Sequence, residues 1–131
     1  MANRPHSVSV NTQANVNEAG NNTETVLATL VGVTPEFPGQ PVKLFLTCRF
    51  TLGTTGTGCT FRFRRAALGG TLVGNAKNIT SGLTAGAIAA VAVQEEDNPG
   101  EGLFIYVATF QGAAETAVGS VQDSELRAEW A

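Results

Sequence analysis

Hydrophobic and polar residues alternate with a period of two along much of the chain, most clearly between Pro41 and Thr51. In that segment Lys43, Thr47 and Arg49 share one parity. The other parity is apolar and consists of Val42, Leu44, Leu46, Cys48 and Phe50. Successive side chains of a strand point to opposite faces of its sheet, so this pattern predicts a strand with one buried and one solvated face. Residues 59–66 repeat the pattern and are predicted as a second such strand.

Six further segments are predicted as strands from alternation, β-branched residues and flanking turn residues. They are residues 7–16, 23–33, 71–80, 88–95, 102–110 and 118–130. The segment Leu83–Asp97 is rich in alanine and could be a helix, but Gly86 and three β-branched residues favour a strand. The sequence therefore predicts an all-β protein, a single antiparallel β-sandwich that is jelly-roll-like and has about eight strands.

The length of 131 residues fits one domain. Residues 1–15 are polar and are predicted to form an N-terminal arm that contacts a partner, while residues 16–131 form the sandwich. The sequence has no apolar run long enough for a transmembrane helix and no secretory signal at its start, so neither is expected.

The stretch FTLGTTGTGCTFRFRR, residues 50–65, places glycines and threonines between two predicted strands. A phosphate-binding loop would need a lysine after the glycines and a helix behind them, and both are missing. The stretch is instead predicted to be a hairpin with a long loop, in which Phe50 pairs with Cys59. In that register Cys48 and Cys59 lie diagonally, and both are expected to be buried thiols, although the sequence does not exclude a disulfide.

Residues that could carry catalysis or bind a metal are few. His6 is the one histidine, so an enzymatic interpretation would depend on it. The acidic run Glu95–Asp97 with Glu101 could in principle bind calcium, but the neighbouring Pro99 and Gly100 favour a charged, solvent-exposed turn. We therefore predict no catalytic residue, no cofactor, no metal and no enzymatic activity.

The net charge of −3 argues against nucleic acid or an anionic membrane as a partner. Basic residues nevertheless concentrate on the predicted hairpin, where Arg49, Arg62 and Arg64 should share its outer face. Three interpretations stay open: a solvated face, a polyanion site, or ion pairs with the acidic segment 95–101. Such ion pairs could form within the chain or with the next copy.

The chain resembles small β-sandwich virion proteins of tailed bacteriophages, such as capsid decoration proteins and other head or tail accessories. The residues that carry the resemblance lie between Thr23 and Trp130. They are FTLGTTGTGCTFRFRR, LGGTLVGN, EEDNPGEG, LFIYVATFQG and GSVQDSELRAEW. The resemblance implies a non-enzymatic homo-oligomer, with a trimer favoured, that docks on the major capsid protein or another virion protein. It also implies assembly in the host cytoplasm and localisation to the virion.

Six residues are predicted, as a group, to form interfaces: Arg49, Arg62, Arg64, Arg65, Phe37 and Trp130. Phe37 lies in the stiff loop TPEFPGQP and is either an exposed anchor or a plug in the core. Trp130 either closes the core or inserts into a neighbouring subunit. The alternative function is a carbohydrate-binding β-sandwich module for host-surface recognition, which would use exposed Trp or Tyr side chains, here Trp130 or Tyr106, as stacking platforms.

Overall fold

A computed structural model of the chain describes residues 6–12, 15–18, 23–52, 58–80, 86–112 and 118–130, and these residues form eight strands. The strands are β1 (Ser7–Thr12), β2 (Thr25–Val33), β3 (Val42–Leu52), β4 (Gly58–Arg65), β5 (Leu72–Thr80), β6 (Ile88–Asp97), β7 (Phe104–Gly112) and β8 (Val118–Trp130). Within the described ranges no residue is helical. The predicted all-β class and strand number are confirmed, and the alanine-rich segment is a strand.

The strands form two antiparallel four-stranded sheets. Sheet A has the order β1-β8-β3-β6, and sheet B has the order β2-β7-β4-β5. The alternating apolar residues of both sheets face inward and form one core. Its largest fully buried side chains include Tyr106, Phe50, Phe61, Phe63 and Phe110. The predicted jelly-roll-like sandwich is therefore confirmed.

The predicted hairpin between β3 and β4 is wrong. β3 pairs with β6 and β8 in sheet A, whereas β4 pairs with β5 and β7 in sheet B. Phe50 and Phe61 instead meet across the core, with ring centroids 6.0 Å apart and ring planes inclined by 54°. Two strands that face each other across a sandwich need the same inward parity as two strands of a hairpin, so parity alone did not separate these arrangements. The predicted loop itself, residues 53–57, lies outside the described residues.

Both cysteines are buried thiols, as expected, and neither forms a disulfide. Cys48 lies in β3 and Cys59 in β4, so they belong to different sheets and not to one hairpin. Burial raises the pKa of each thiol to about 12. At neutral pH both are protonated and pack as small apolar side chains.

Part of the predicted N-terminal arm belongs to the sandwich. Ser7–Thr12 forms β1, an edge strand of sheet A that pairs with β8 of the same chain. The other end of the chain is also fixed by this pairing, since the backbone N–H of Trp130 donates to the carbonyl oxygen of His6 at 2.8 Å. Whether the arm also contacts a partner stays a prediction.

The turn between β4 and β5 requires glycine at one position. The Gly70 N–H donates to the carbonyl oxygen of Ala67 at 2.8 Å, which closes the turn. A Cβ atom on Gly70 would lie 1.7 Å from the backbone oxygen of Arg65, whereas one on Gly69 would meet nothing within 4 Å. In the LGG sequence, the surrounding backbone therefore leaves no room for a side chain at Gly70 but leaves room for one at Gly69.

Candidate functional site

The predicted interface arginines lie on two opposite faces of the molecule. Arg49 projects from the outer face of sheet A, whereas Arg62 and Arg64 project from the outer face of sheet B. The prediction that these three residues share one face is therefore wrong, because it depended on the hairpin. The arrangement divides the basic cluster that the sequence suggested.

On sheet B, Glu24 is the acceptor for several donors. Arg64 binds it through two hydrogen bonds, Nε to Oε2 at 2.6 Å and Nη2 to Oε1 at 2.9 Å. The buried hydroxyl of Thr109 donates to Oε2 at 2.6 Å, and Arg62 Nη1 lies 3.7 Å from Oε1. The hydrogen bonds from Arg64, which outweigh burial, hold the pKa of Glu24 below its ordinary value. Arg62 also donates to the Gln111 side chain at 2.8 Å.

At the end of the sandwich, Arg65 pairs with Asp97 of the other sheet. Two hydrogen bonds of 2.6 Å join the guanidinium to the carboxylate, and the Tyr106 hydroxyl donates to the same carboxylate at 2.7 Å. Burial acts to raise the pKa of Asp97, but the bonds from Arg65 and Tyr106 outweigh it and the net pKa is lowered. Burial raises the pKa of Tyr106. Arg65 therefore forms its ion pair with the acidic segment 95–101 of its own chain, which is one of the three interpretations given for the basic residues.

The acidic run Glu95–Asp97 is not the exposed turn that the sequence suggested, since it forms the end of β6. Glu95 forms an ion pair with Lys77, whose Nζ lies 2.8 Å from Oε2. The same oxygen accepts a hydrogen bond from the Asn75 N–H at 3.1 Å. These contacts join the edge of sheet A to the edge of sheet B. They also lower the pKa of Glu95, chiefly through Lys77. Among the described residues, no group of three or more His, Cys, Asp or Glu side chains could hold a metal ion.

Phe37 and Trp130 differ in accessibility. Phe37 is 51% exposed, so of its two interpretations the structure supports the exposed side chain. Trp130 is 2% exposed and packs in its own chain's core, opposite the buried Val42. The interpretation in which Trp130 inserts into a neighbouring subunit is therefore corrected, because its strand register turns the indole inward.

Sheet B carries a set of exposed apolar side chains at one end, which we call the apolar face. Val31 is 62% exposed and lies beside Ile105, between the paired positions Leu30↔Tyr106 and Val33↔Phe104. The apolar face comprises Val31, Ile105, Leu103, Leu72 and, in the adjoining turn, Leu68. The backbone bond from Ala66 N–H to the Ile105 carbonyl, 2.7 Å, brings that turn against β7. Several exposed apolar side chains at one end of a sheet are a feature of interaction surfaces.

The outer face of sheet A is different, because its exposed side chains are largely polar. Hollows of about 470, 400 and 320 Å³ follow one another along β3. Lys43 lines the first two, while Phe45 and Gln94 line the second and third, so neighbouring hollows share lining residues. We call this feature the β3 groove, and its central residues are Lys43, Phe45, Thr47, Gln94, Glu96 and Arg127.

Phe45 lies in the middle of the β3 groove and is partly exposed. The Arg127 guanidinium carbon lies 4.8 Å from the centre of its ring, a cation–π contact that holds both side chains in place. Arg127 Nε is 3.3 Å from Glu129 Oε1, an ion pair without the alignment of a hydrogen bond. The groove thus combines one aromatic ring with charged groups of both signs.

His6 lies at the entrance of the groove, in the first hollow. Its Nε2 atom is 3.8 Å from Glu36 Oε1, and its side chain is 58% exposed. That an enzymatic activity would depend on His6 stays a prediction. In the part of the chain that the structure describes, no helix is long and apolar enough to cross a membrane.

Comparison with known proteins gives a fold and no family. No protein-family model matches the chain, and no curated protein matches it in sequence. A chain in the structure of infectious bursal disease virus Gx strain superposes with a TM-score of 0.56 and 12% identity, over 96% of this chain and 33% of that one. This chain therefore spans about one third of the length of that viral chain.

Two further similar structures superpose less closely. A chain of Bacillus endospore appendages, described as disulfide-linked pili, has a TM-score of 0.45 and 12% identity, covering 99% of this chain and 95% of that one. A carbohydrate-binding module from Cellvibrio mixtus lichenase 5A, in complex with cellotriose, has a TM-score of 0.48 and 15% identity, covering 95% of this chain and 86% of that one. The superposition on the viral chain, at 12% identity, shows a shared β-sandwich fold alone.

The residues at the centre of both surfaces are not among those predicted from the sequence. Phe45 was detectable, because it is the one apolar residue at an outward parity position within the alternating part of β3. Val31 and Ile105 gave no such signal, since they lie in the continuous apolar runs TLVGV and LFIYVA. A continuous run does not distinguish inward from outward positions.

Proposed function

We propose that this chain is a non-enzymatic structural protein of a virion, which self-associates through the apolar face and docks on the capsid or another virion protein. The observation that carries the proposal is the apolar face itself, because monomers normally expose large apolar side chains singly and not as a group at one end of one sheet. A closed homo-oligomer would bury this face, and a trimer is the state we favour.

Fewer of the predicted interface arginines are assigned to contacts with a partner than the sequence suggested. Arg64 and Arg65 are held by carboxylates of their own chain, so they stabilise the sandwich next to the apolar face. Phe37 is both apolar and exposed, unlike the other residues of the predicted set, and it suits docking on a second protein. The finer assignment is to capsid decoration or a related accessory role on a tailed bacteriophage. It rests on the resemblance and on the small sandwich with one apolar face.

The virion assignment is tested by density-gradient purification of particles from the cells that produce the chain. We expect the chain to band with the particles at a fixed ratio to the major capsid protein, measured by quantitative mass spectrometry. A soluble host protein of similar mass serves as the control for trapping and should stay at the top of the gradient. A chain that stays there with it would overturn the virion assignment.

A further inference from the structure

We propose that the β3 groove is a binding site for a neutral oligosaccharide. This site is separate from the apolar face, because the two lie on the outer faces of different sheets. The sequence offers Trp130 and Tyr106 as residues on which a sugar could stack, but the two are only 2% and 0% exposed. The groove offers Phe45 in their place.

The position of β3 restricts how a ligand could be recognised. β3 is an inner strand of sheet A, bonded on one side to β8 and on the other to β6. Its backbone groups are therefore used within the sheet, and a peptide could not add to it as an extra strand. Recognition along the groove must come from side chains.

The side chains surround the ring with polar groups of both kinds. The register aligns Gln94, Phe45 and Arg127 in one row across the sheet. The row on one side contains Glu96, Lys43 and Glu129, and the row on the other contains Thr47 and Glu125. Successive outward side chains on a strand are about 7 Å apart, so donors and acceptors lie on both sides of the ring.

The charges in the groove disfavour an anionic ligand. Lys43 and Arg127 line the hollows together with four carboxylates, those of Glu95, Glu96, Glu125 and Glu129, so the groove has no excess of positive charge. A polyanion would need an excess of basic groups, and a lipid surface would need a mostly apolar face. Sugar hydroxyls both donate and accept hydrogen bonds, so carboxylates, amides, hydroxyls and ammonium groups can all bind them. Arg127 covers one face of the Phe45 ring, so the apolar face of a sugar ring would pack on the part of Phe45 that Arg127 leaves exposed.

The extent of the groove favours an oligosaccharide over a single sugar. Lys43 and Thr47 are separated by four residues of extended strand, about 14 Å. The first hollow, beside Ser7 and Pro41, extends the groove further. Because the hollows share residues, one chain of sugars could occupy them in sequence.

The proposal is tested by titrating the full chain with four neutral oligosaccharide series: cello-, xylo-, manno- and malto-oligosaccharides. Calorimetry gives the affinity, and amide chemical shifts in NMR spectra give the location. We expect at least one series to bind with shifts confined to the outward positions of β3, β6 and β8. No heat and no shift at about 10 mM of any series would overturn the proposal, as would shifts confined to sheet B.

Matched variants separate ring stacking from folding. Phe45→Leu keeps an apolar side chain but removes the ring, and we expect about tenfold weaker binding, whereas Phe45→Tyr should bind within about threefold of the parent. Thr47→Ala should weaken binding, while Thr29→Ala, an exposed threonine on sheet B, should not. Unchanged affinity in Phe45→Leu would overturn the site.

A second copy of the chain is the competing occupant of the groove. Amide shifts at β3 that depend on protein concentration without any sugar would show that occupant and overturn the proposal. Failure here would leave the proposed self-association untouched, since that depends on Val31 and Ile105 on the other sheet.

Discussion

At the scale of single residues, the ion pairs of this chain differ mainly in burial. The Arg64–Glu24 pair has side chains only 19% and 18% exposed, and its carboxylate also accepts from the buried Thr109. The Arg49–Asp123 pair has side chains 50% and 46% exposed. Exposed pairs contribute little to stability, whereas a shielded carboxylate with several donors leaves those donors unpaired when it is removed.

The shielded carboxylates predict loss of stability in acid. The pKa values of Glu24, Glu95 and Asp97 are lowered in the folded state, so the stability they contribute is present above their ordinary pKa values near 4. It is lost as the pH falls below about 4 towards the folded values. Glu24→Gln should reduce the free energy of unfolding at pH 7 by about 1–3 kcal/mol and make its fall in acid shallower, because Gln does not titrate.

Urea unfolding between pH 7 and pH 3 measures this effect. Arg49→Gln is the control at neutral pH, where removal of an exposed ion pair should change the free energy of unfolding by less than about 0.5 kcal/mol. If the free energy of unfolding falls as steeply towards pH 3 in Glu24→Gln as in the parent chain, Glu24 is not among the groups that cause the loss of stability in acid.

At the scale of the elements, the sequence predicts where the strands lie better than it predicts which strands pair. The inward parity of β3 and β4 was correct at every position from Val42 to Phe50 and from Cys59 to Phe63. Their pairing was wrong, because the apolar pattern of a strand does not specify which sheet it joins. The pairing of β3 with β8 also contains a register shift, since Thr47 pairs with Glu125 but Arg49 pairs with Gln122. The apolar pattern does not predict this shift either. Asp123 takes a positive φ of 52° there and turns outward to reach Arg49.

The candidate sites were harder to predict than the fold for the same reason. Whether Arg49 lies near Arg62 depends on strand pairing, and so does the meeting of Phe45, Gln94 and Arg127 in one row. Each of these is a contact between residues far apart in sequence. Local alternation carries no information about such contacts.

The turn from β4 to β5 makes a prediction at this scale. Gly70→Ala should lower the free energy of unfolding by about 2 kcal/mol or more, because the new methyl group would overlap the Arg65 carbonyl oxygen. Arg64 Nη1 also donates to the Gly70 oxygen at 3.0 Å, so displacement of the turn would disturb the Glu24 pair. Gly69→Ala is the matched control and should change stability by less than about 0.5 kcal/mol. Equal midpoints for the two variants in thermal unfolding would contradict this account of the turn.

At the scale of the whole molecule, the two outer faces of the sandwich have different characters. The outer face of sheet B carries shielded ion pairs next to exposed apolar residues, and that of sheet A carries the polar β3 groove. A protein with one apolar face and one polar groove can assemble through the first and leave the second accessible. The chain is therefore proposed to self-associate through the apolar face.

The measurement that tests this claim most directly is native mass over a dilution series, for the parent chain and for two variants. We expect the parent to keep the mass of a closed oligomer, a trimer, on dilution, and Ile105→Lys to become a folded monomer. Ile88→Lys is the matched control, because Ile88 is 50% exposed but lies in β6 of sheet A, away from the apolar face, and it should keep the mass of the parent. A parent chain that is monomeric at every concentration, or an Ile105→Lys variant with the parent's mass, would contradict the claim.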